Sequence, residues 1–253
     1  MNKSSGIFMV AYGPEYYRTA MHTICASRRH LYNLTWCLFT DQKPEKNDFP
    51  DNVIVKYYPV EHNMHREIKI DMARHSPFDY TIYMDADAVV RKAGLSYILR
   101  SLDQGWDMAL NVFDYWRAGQ KIPQIYAQTM RLAKCTLPIT IYNAGFILFK
   151  GSPAMQKFCT LWNFYWNEMG CGREMPAFNC ALQQSDLRIK PLPRGRHKVF
   201  EPDIYDANAL VQHNYNSNGG MNWFEEFGIP PFQTYKPFDK HTDWNFVDYE
   251  KST

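Results

Sequence analysis

The sequence predicts an α/β fold: a mostly parallel central sheet flanked by helices, with a Rossmann-like N-terminal half. Three observations predict it. Short apolar runs alternate with helix-like stretches through the first half of the chain, which is the pattern of strands joined by crossover helices. One of these runs delivers two carboxylates, Asp85 and Asp87, where open α/β sheets bind their ligands. The chain has 253 residues, 45% of them apolar and 21% charged, enough for one domain with a sizeable core and unlike a disordered chain or a fibre.

The elements follow in order. Ile7 to Ala11 reads as the first strand. Gly13 and Pro14 then open a helix over Tyr16 to Leu31. Trp36 to Phe39 and Val53 to Tyr58 read as strands, separated by a polar loop with Pro44 and Pro50. Arg66 to Arg74 is helical, and Tyr80 to Met84 is a strand that runs into Asp85. In the second half, Met108 to Val112 and Ile139 to Phe149 read as strands and Ala154 to Met169 as a helix. Its ring-rich stretch, Leu161 to Trp166, suits a core position. Beyond Asp186 the chain is rich in Pro, Gly, Asn and aromatics, and Met221 to Tyr249 holds nine rings with little periodicity. Such a segment forms either a lid or substrate platform, or an outer layer on the core. The whole is read as a single domain over 1–253, with halves 1–110 and 111–253.

Composition excludes several classes. A net charge of +2 lacks the basic balance of a dedicated nucleic-acid binder. The longest apolar stretch, Ile139 to Phe149, is broken by Asn143 and falls short of the roughly 20 residues that span a bilayer. The N-terminal apolar run is too short for a secretory leader and has no small-residue cleavage site. The six cysteines form no CxxC pair, which points to reduced thiols and a cytoplasmic location, not a disulfide frame. His62 and His65 lack the glutamate of a zinc-protease helix, and no nucleophile elbow or Gly-rich phosphate loop occurs.

The most informative segment is Asp79 to Val90, Asp-Tyr-Thr-Ile-Tyr-Met-Asp-Ala-Asp-Ala-Val-Val. Two like charges one residue apart repel unless a cation lies between them. Mg²⁺ or Mn²⁺ takes such oxygens together with substrate phosphates, and the small Ala86 lets a nucleotide approach the backbone. The competing reading is a solvated turn in which Asp caps the next helix.

This strand with Asp85-Ala86-Asp87 resembles the metal-binding Asp-x-Asp of nucleotide-sugar glycosyltransferases with the GT-A fold. Three other segments resemble the same family. Val10-Ala11-Tyr12-Gly13, followed by Tyr16 and Tyr17, matches the strand end that holds the base and ribose. Tyr142-Asn143-Ala144-Gly145-Phe146 matches a signature strand with Asn-x-Gly. Glu174-Met175-Pro176-Ala177-Phe178-Asn179 matches an acidic helix start facing the donor sugar. The pattern is most like the glycogenin and galactosyltransferase group, family 8, whose members retain anomeric configuration.

The resemblance implies a nucleotide-binding half (1–110) and an acceptor-side half (111–253), with Mn²⁺ or Mg²⁺ as cofactor and a UDP-sugar as donor. The acceptor would be a saccharide or protein hydroxyl, and the oligomeric state is left open between monomer and homodimer. Asp85, Asp87 and His213 are the implied metal ligands. Ala11, Tyr12, Tyr17, Arg66, Lys69 and Ala86 are the implied nucleotide contacts, and Glu174 and Asn143 the implied catalytic pair, with Asp114 the next carboxylate. The chain departs from the family after His213: Gly219 and Gly220 come late, and the Lys-Pro-aromatic is Lys236-Pro237-Phe238. A basic run, Lys190, Arg194, Arg196, His197 and Lys198, either neutralises a leaving diphosphate or forms a solvated face. Two other classes stay open: a haloacid-dehalogenase-like phosphatase using Asp85 as nucleophile and Asp87 as acid, and a catalytically silent nucleotide-sugar-binding protein.

Overall fold

Strand β1 (Ser5–Val10) is apolar on both faces, with Ile7, Phe8 and Met9 fully buried, as a strand covered on both sides requires. The chain then turns at Gly13, whose φ of 84° favours glycine. Pro14 opens α1 (Pro14–Ser27), at a position where the missing N–H costs no helical bond. Strands β2 (Thr35–Thr40) and β3 (Val53–Tyr57) follow, then α2 (His65–Ile70) and α3 (Met72–His75). The single helix expected over 66–74 is thus two, because Asp71 leaves the helical region at φ −93° and ψ 28°. Next come β4 (Tyr80–Asp85), β5 (Ala88–Val90), α4 (Leu95–Leu99), β6 (Met108–Trp116), β7 (Lys121–Pro123), α5 (Gln124–Leu132) and β8 (Ile139–Lys150). The chain continues through α6 (Pro153–Glu168), α7 (Glu174–Gln183), β9 (Ile189–Pro191), β10 (Phe200–Glu201), β11 (Val211–His213) and β12 (Phe246–Asp248).

This computed structural model describes residues 3–31, 33–45, 48–60, 64–192, 199–201, 208–213 and 246–248. His62, the basic residues Arg194 to Lys198, Gly219, Gly220, Lys236-Pro237-Phe238 and nearly all of the ring-rich segment 221–249 lie outside the described residues.

The main sheet has seven strands in the order β3-β2-β1-β4-β8-β6-β9. The first four are mutually parallel, as the alternation of strands and helices predicts. The long β8 runs antiparallel to both β4 and β6, so the parallel part of the sheet continues into strands from the second half. The α/β class with a mainly parallel sheet is therefore the observed architecture. Strand β6 extends four residues beyond the expected end, through register shifts near Val112 and Asp114. A small sheet, β10-β11-β5, joins the segment after Asp87 to a distant part of the chain.

Two apolar layers cover the main sheet. Phe8, Tyr83 and Ile147 belong to one layer, and Ile7, Ile82 and Leu148 to the other, as the twofold alternation of strand side chains demands. Trp162 and Trp166 of α6 are fully buried in the first layer and Tyr165 lies with them, so these rings of the stretch are core, while Phe164 faces out. The two indole N–H groups also donate to the carbonyls of Glu174 and Gly172, at 3.0 and 2.9 Å. These two bonds fix the entry into α7, the helix that begins at Glu174.

Candidate active site

The carboxyl end of β4 is the centre of the site. The β1/β4 register pairs Val10 with Asp85, so Ala11 and Tyr12 leave the sheet beside Asp85 and Ala86. Helix α1 secures the turn from beneath: the buried Thr23 hydroxyl donates to the Ala86 carbonyl at 2.7 Å, and the Val90 N–H donates to the Ser27 hydroxyl at 2.9 Å. On the other side, β4 pairs Met84 with Phe146 of β8, which sets Gly145 next to Asp85. Finally β11 pairs antiparallel with β5, His213 opposite Ala88. The sheet pairing, not sequence proximity, brings His213 to the two aspartates.

Asp85, Asp87 and His213 offer ligand atoms that all lie within 4.8 Å of one another. The buried His213 Nε2 is 2.8 Å from Asp87 Oδ1 and 3.7 Å from Asp85 Oδ2. Burial pulls the imidazole pKa down, but the Asp87 carboxylate outweighs it, and the net shift is upward. Gly145 packs closely against them. A Cβ on Gly145 would sit 2.7 Å from Asp85 Oδ2, 3.0 Å from Asn143 Oδ1 and 3.2 Å from His213 Cε1. Two carboxylate oxygens and an imidazole nitrogen this close together, beside a glycine whose Cβ would crowd them, fit a small divalent cation.

A second, connected group of charges lies on the other side of Asp85. The buried Lys69 donates to Asp85 Oδ1 at 3.0 Å and to Glu174 Oε1 at 2.8 Å. Desolvation lowers the Lys69 pKa, yet Asp85 and Glu174 together hold it well above its usual value. Burial raises Glu174, but Lys69 and then Arg66 pull its carboxyl down to about 2. Arg66 Nε is 3.8 Å from Glu174 Oε2, and its guanidinium also donates to the Gly172 carbonyl at 2.5 Å. Tyr83 completes the group by donating to Asp85 Oδ1 at 2.6 Å. Burial, then the adjacent Asp85 charge, holds its phenol protonated well above the usual range.

Six of the sequence-predicted residues therefore form one connected constellation, Asp85, Asp87, His213, Lys69, Glu174 and Arg66, and Asn143 lies beside it across Gly145. Asn143 is buried and accepts from the Gly145 N–H at 2.7 Å. Tyr12 flanks it, with its ring stacked on His65 at 5.7 Å and its hydroxyl donating to the Tyr58 carbonyl. Tyr17 is committed elsewhere: it is buried in the layer under α1 and donates to Asp48 at 2.6 Å. It lines an open groove of about 380 Å³ with Pro14, Arg18, Gln42 and Asp48. Asp114 accepts from the Trp116 indole at 2.6 Å and from the Tyr115 N–H at 2.7 Å within β6.

Tyr83 and Thr23 escaped the sequence reading as site residues. Tyr83 was detectable in principle, since residues two apart on a strand share a face. Thr23 was not, because its partner lies 63 positions away.

No protein-family model matches the sequence, and no curated protein matches it. Solved structures do. A crystal structure of the galactosyltransferase LgtC in complex with donor and acceptor sugar analogs aligns with a TM-score of 0.54 at 10% identity, over 82% of this chain and 86% of that one. An active-site mutant of LgtC aligns with a TM-score of 0.59, again at 10% identity, over 88% of this chain and 94% of that one. The chain thus has the GT-A fold of LgtC.

Proposed function

We propose that the chain is a metal-dependent glycosyltransferase that moves a sugar from a nucleoside-diphosphate sugar, a UDP-hexose, to an acceptor hydroxyl on a saccharide or protein. One observation carries the reading: Asp85, Asp87 and His213 converge at the carboxyl end of β4, within a fold shared with a galactosyltransferase. Asp85, Asp87 and His213 would hold Mn²⁺ or Mg²⁺. When bound, such an ion supplies Lewis-acid stabilisation of a departing diphosphate.

The remaining residues take roles their surroundings allow. Ala11, Tyr12 and Ala86, where two chain segments leave the sheet side by side, would receive the nucleoside. Tyr17 would support that region from below. Lys69 ties the cation ligand Asp85 to Glu174 in one charged network. Glu174, with its pKa near 2, stays ionised at neutral pH and is a weak base. Its role is therefore to hold donor hydroxyls and to stabilise positive charge at the anomeric carbon, rather than to take the acceptor proton. Asn143 would offer its amide to the same space, and Arg66 would keep the Glu174 carboxylate oriented. The expected stereochemical outcome is retention, and the thiols suit a cytoplasmic enzyme.

The test is isothermal titration of UDP with and without Mn²⁺, in wild type and Asp87→Asn. The reading expects Mn²⁺-dependent UDP binding that the variant loses. Equal binding in the two proteins would remove the centre from the function. A phosphatase would instead turn over simple phosphate esters.

A further inference from the structure

We infer that Tyr83 is a positioning residue, whose hydroxyl holds the Asp85 carboxylate in one orientation and leaves Oδ2 as the only Asp85 oxygen offered to the cation. The inference rests on the proposed reading of Asp85, Asp87 and His213 as a cation centre. It starts from an asymmetry between the two oxygens of Asp85. Oδ1 accepts two charge-stabilising bonds, from the Tyr83 hydroxyl at 2.6 Å and from Lys69 at 3.0 Å. Oδ2 lies beside Gly145, with His213 Nε2 3.7 Å away.

The two donors on Oδ1 are not equivalent. Lys69 divides its ammonium between Asp85 and Glu174, and a lysine stem has four rotatable bonds. The Tyr83 ring is buried, packed 6.2 Å from the Phe8 ring, with Lys69 5.1 Å above it. Tyrosine has only two side-chain torsions, and here packing fixes both. Its hydroxyl is a rigid peg that sits two residues before the carboxylate on the same strand face. Without that peg, Asp85 is held by a lysine that is also drawn to Glu174, and the carboxylate is free to rotate. Orientation of a metal ligand by a hydrogen-bonded outer partner commonly governs affinity by about ten- to a hundredfold.

Tyr83→Phe removes the hydroxyl and keeps the ring, so the packing and the Lys69 contact persist. Two measurements define the test: binding of Mn²⁺ alone, followed by the electron paramagnetic resonance signal of the free ion, and binding of UDP in EDTA. Tyr83→Phe is expected to weaken Mn²⁺ about tenfold and to leave metal-free UDP affinity unchanged. General loosening of the fold would lower both. A folded variant with Mn²⁺ affinity within about twofold of wild type overturns the inference, while wild-type Mn²⁺ binding still supports the cation centre. Wild type that binds no Mn²⁺ overturns both. A crystal structure of the wild type with Mn²⁺ tests the same point without a variant. Contact through Oδ2 alone, with Tyr83 still on Oδ1, is the expected result, and an ion bound to Oδ1 refutes it.

Discussion

At the scale of single residues, the site is built from charges that already have partners. Two neighbouring carboxylates would repel in the absence of a cation, and neutralising one would be expected to stabilise the protein. The structure opposes that expectation, because Asp85 is paired with the buried Lys69 and Asp87 with His213. Asp85→Asn should therefore cost more stability than Asp87→Asn, about 1–3 kcal/mol more in thermal or urea unfolding of the metal-free protein. Equal melting temperatures would count against the Lys69 pairing. Glu174 makes a pH prediction. Its folded pKa of about 2 lies below the ordinary 4.5. Its stabilising contribution is thus complete above about pH 4.5 and is lost as pH falls toward 2. Glu174→Gln should melt below wild type at neutral pH, with the gap closing in that acid window, and should lower sugar transfer by about 10²-fold. A gap that stays constant from pH 6 to pH 3, or near-normal transfer, would contradict the respective half.

At the scale of elements, the site depends on how neighbouring strands and helices are locked together. Asn179 of α7 accepts from the Tyr142 N–H at 2.7 Å and donates to the carbonyls of Tyr142 and Met175 at 3.0 Å. It fastens the Glu174 helix to the strand that carries Asn143. Below the turn that carries Asp87, Thr23 fastens α1 to Ala86. Thr23→Val keeps the shape but strands a buried carbonyl, which should cost about 1–3 kcal/mol in chemical unfolding and weaken Mn²⁺ binding together with it. Gly145→Ala acts in the opposite way. The added methyl would lie 2.7 Å from Asp85 Oδ2, so the carboxylate must move. Mn²⁺ titration should show a loss of affinity far larger than the change in melting temperature implies. Unchanged affinity would mean that the cation does not sit beside Gly145.

At the scale of the whole molecule, binding is linked to folding. The ligand atoms come from β4, the turn after it and β11, which are joined only in the folded state. UDP with Mn²⁺ should therefore raise the melting temperature as concentration rises. The stabilisation should approach about 2.7 kcal/mol at one hundred times the dissociation constant. EDTA should reverse the metal-dependent part. Replacing His213 by Ala should diminish the Mn²⁺ effect more than the Mg²⁺ effect, since imidazole suits the softer ion. A shift that is indifferent to metal in a differential scan would argue for a nucleotide site without a cation.

Much of this protein was legible in its sequence, for local reasons. The alternation of apolar runs and helical stretches set the parallel order of the first strands, because hydrophobic periodicity is a local signal. Asp85 and Asp87 declared themselves by following a buried strand, and Glu174 by opening a helix beside Pro176. Tertiary structure decided what these groups meet. The antiparallel return of β8, the pairing of β11 with β5, the burial of Lys69 between two carboxylates and the Tyr83 bond to Asp85 all depend on contacts across the fold. The helix expected over 66–74 and the surroundings of Tyr17 show the same limit. A periodic pattern does not reveal that Asp71 interrupts the helix, or that the Tyr17 hydroxyl is drawn to Asp48. Periodicity reports which face of an element is apolar; only the packed sheet determines which side chains from separate elements share a space, and so which charges compensate one another.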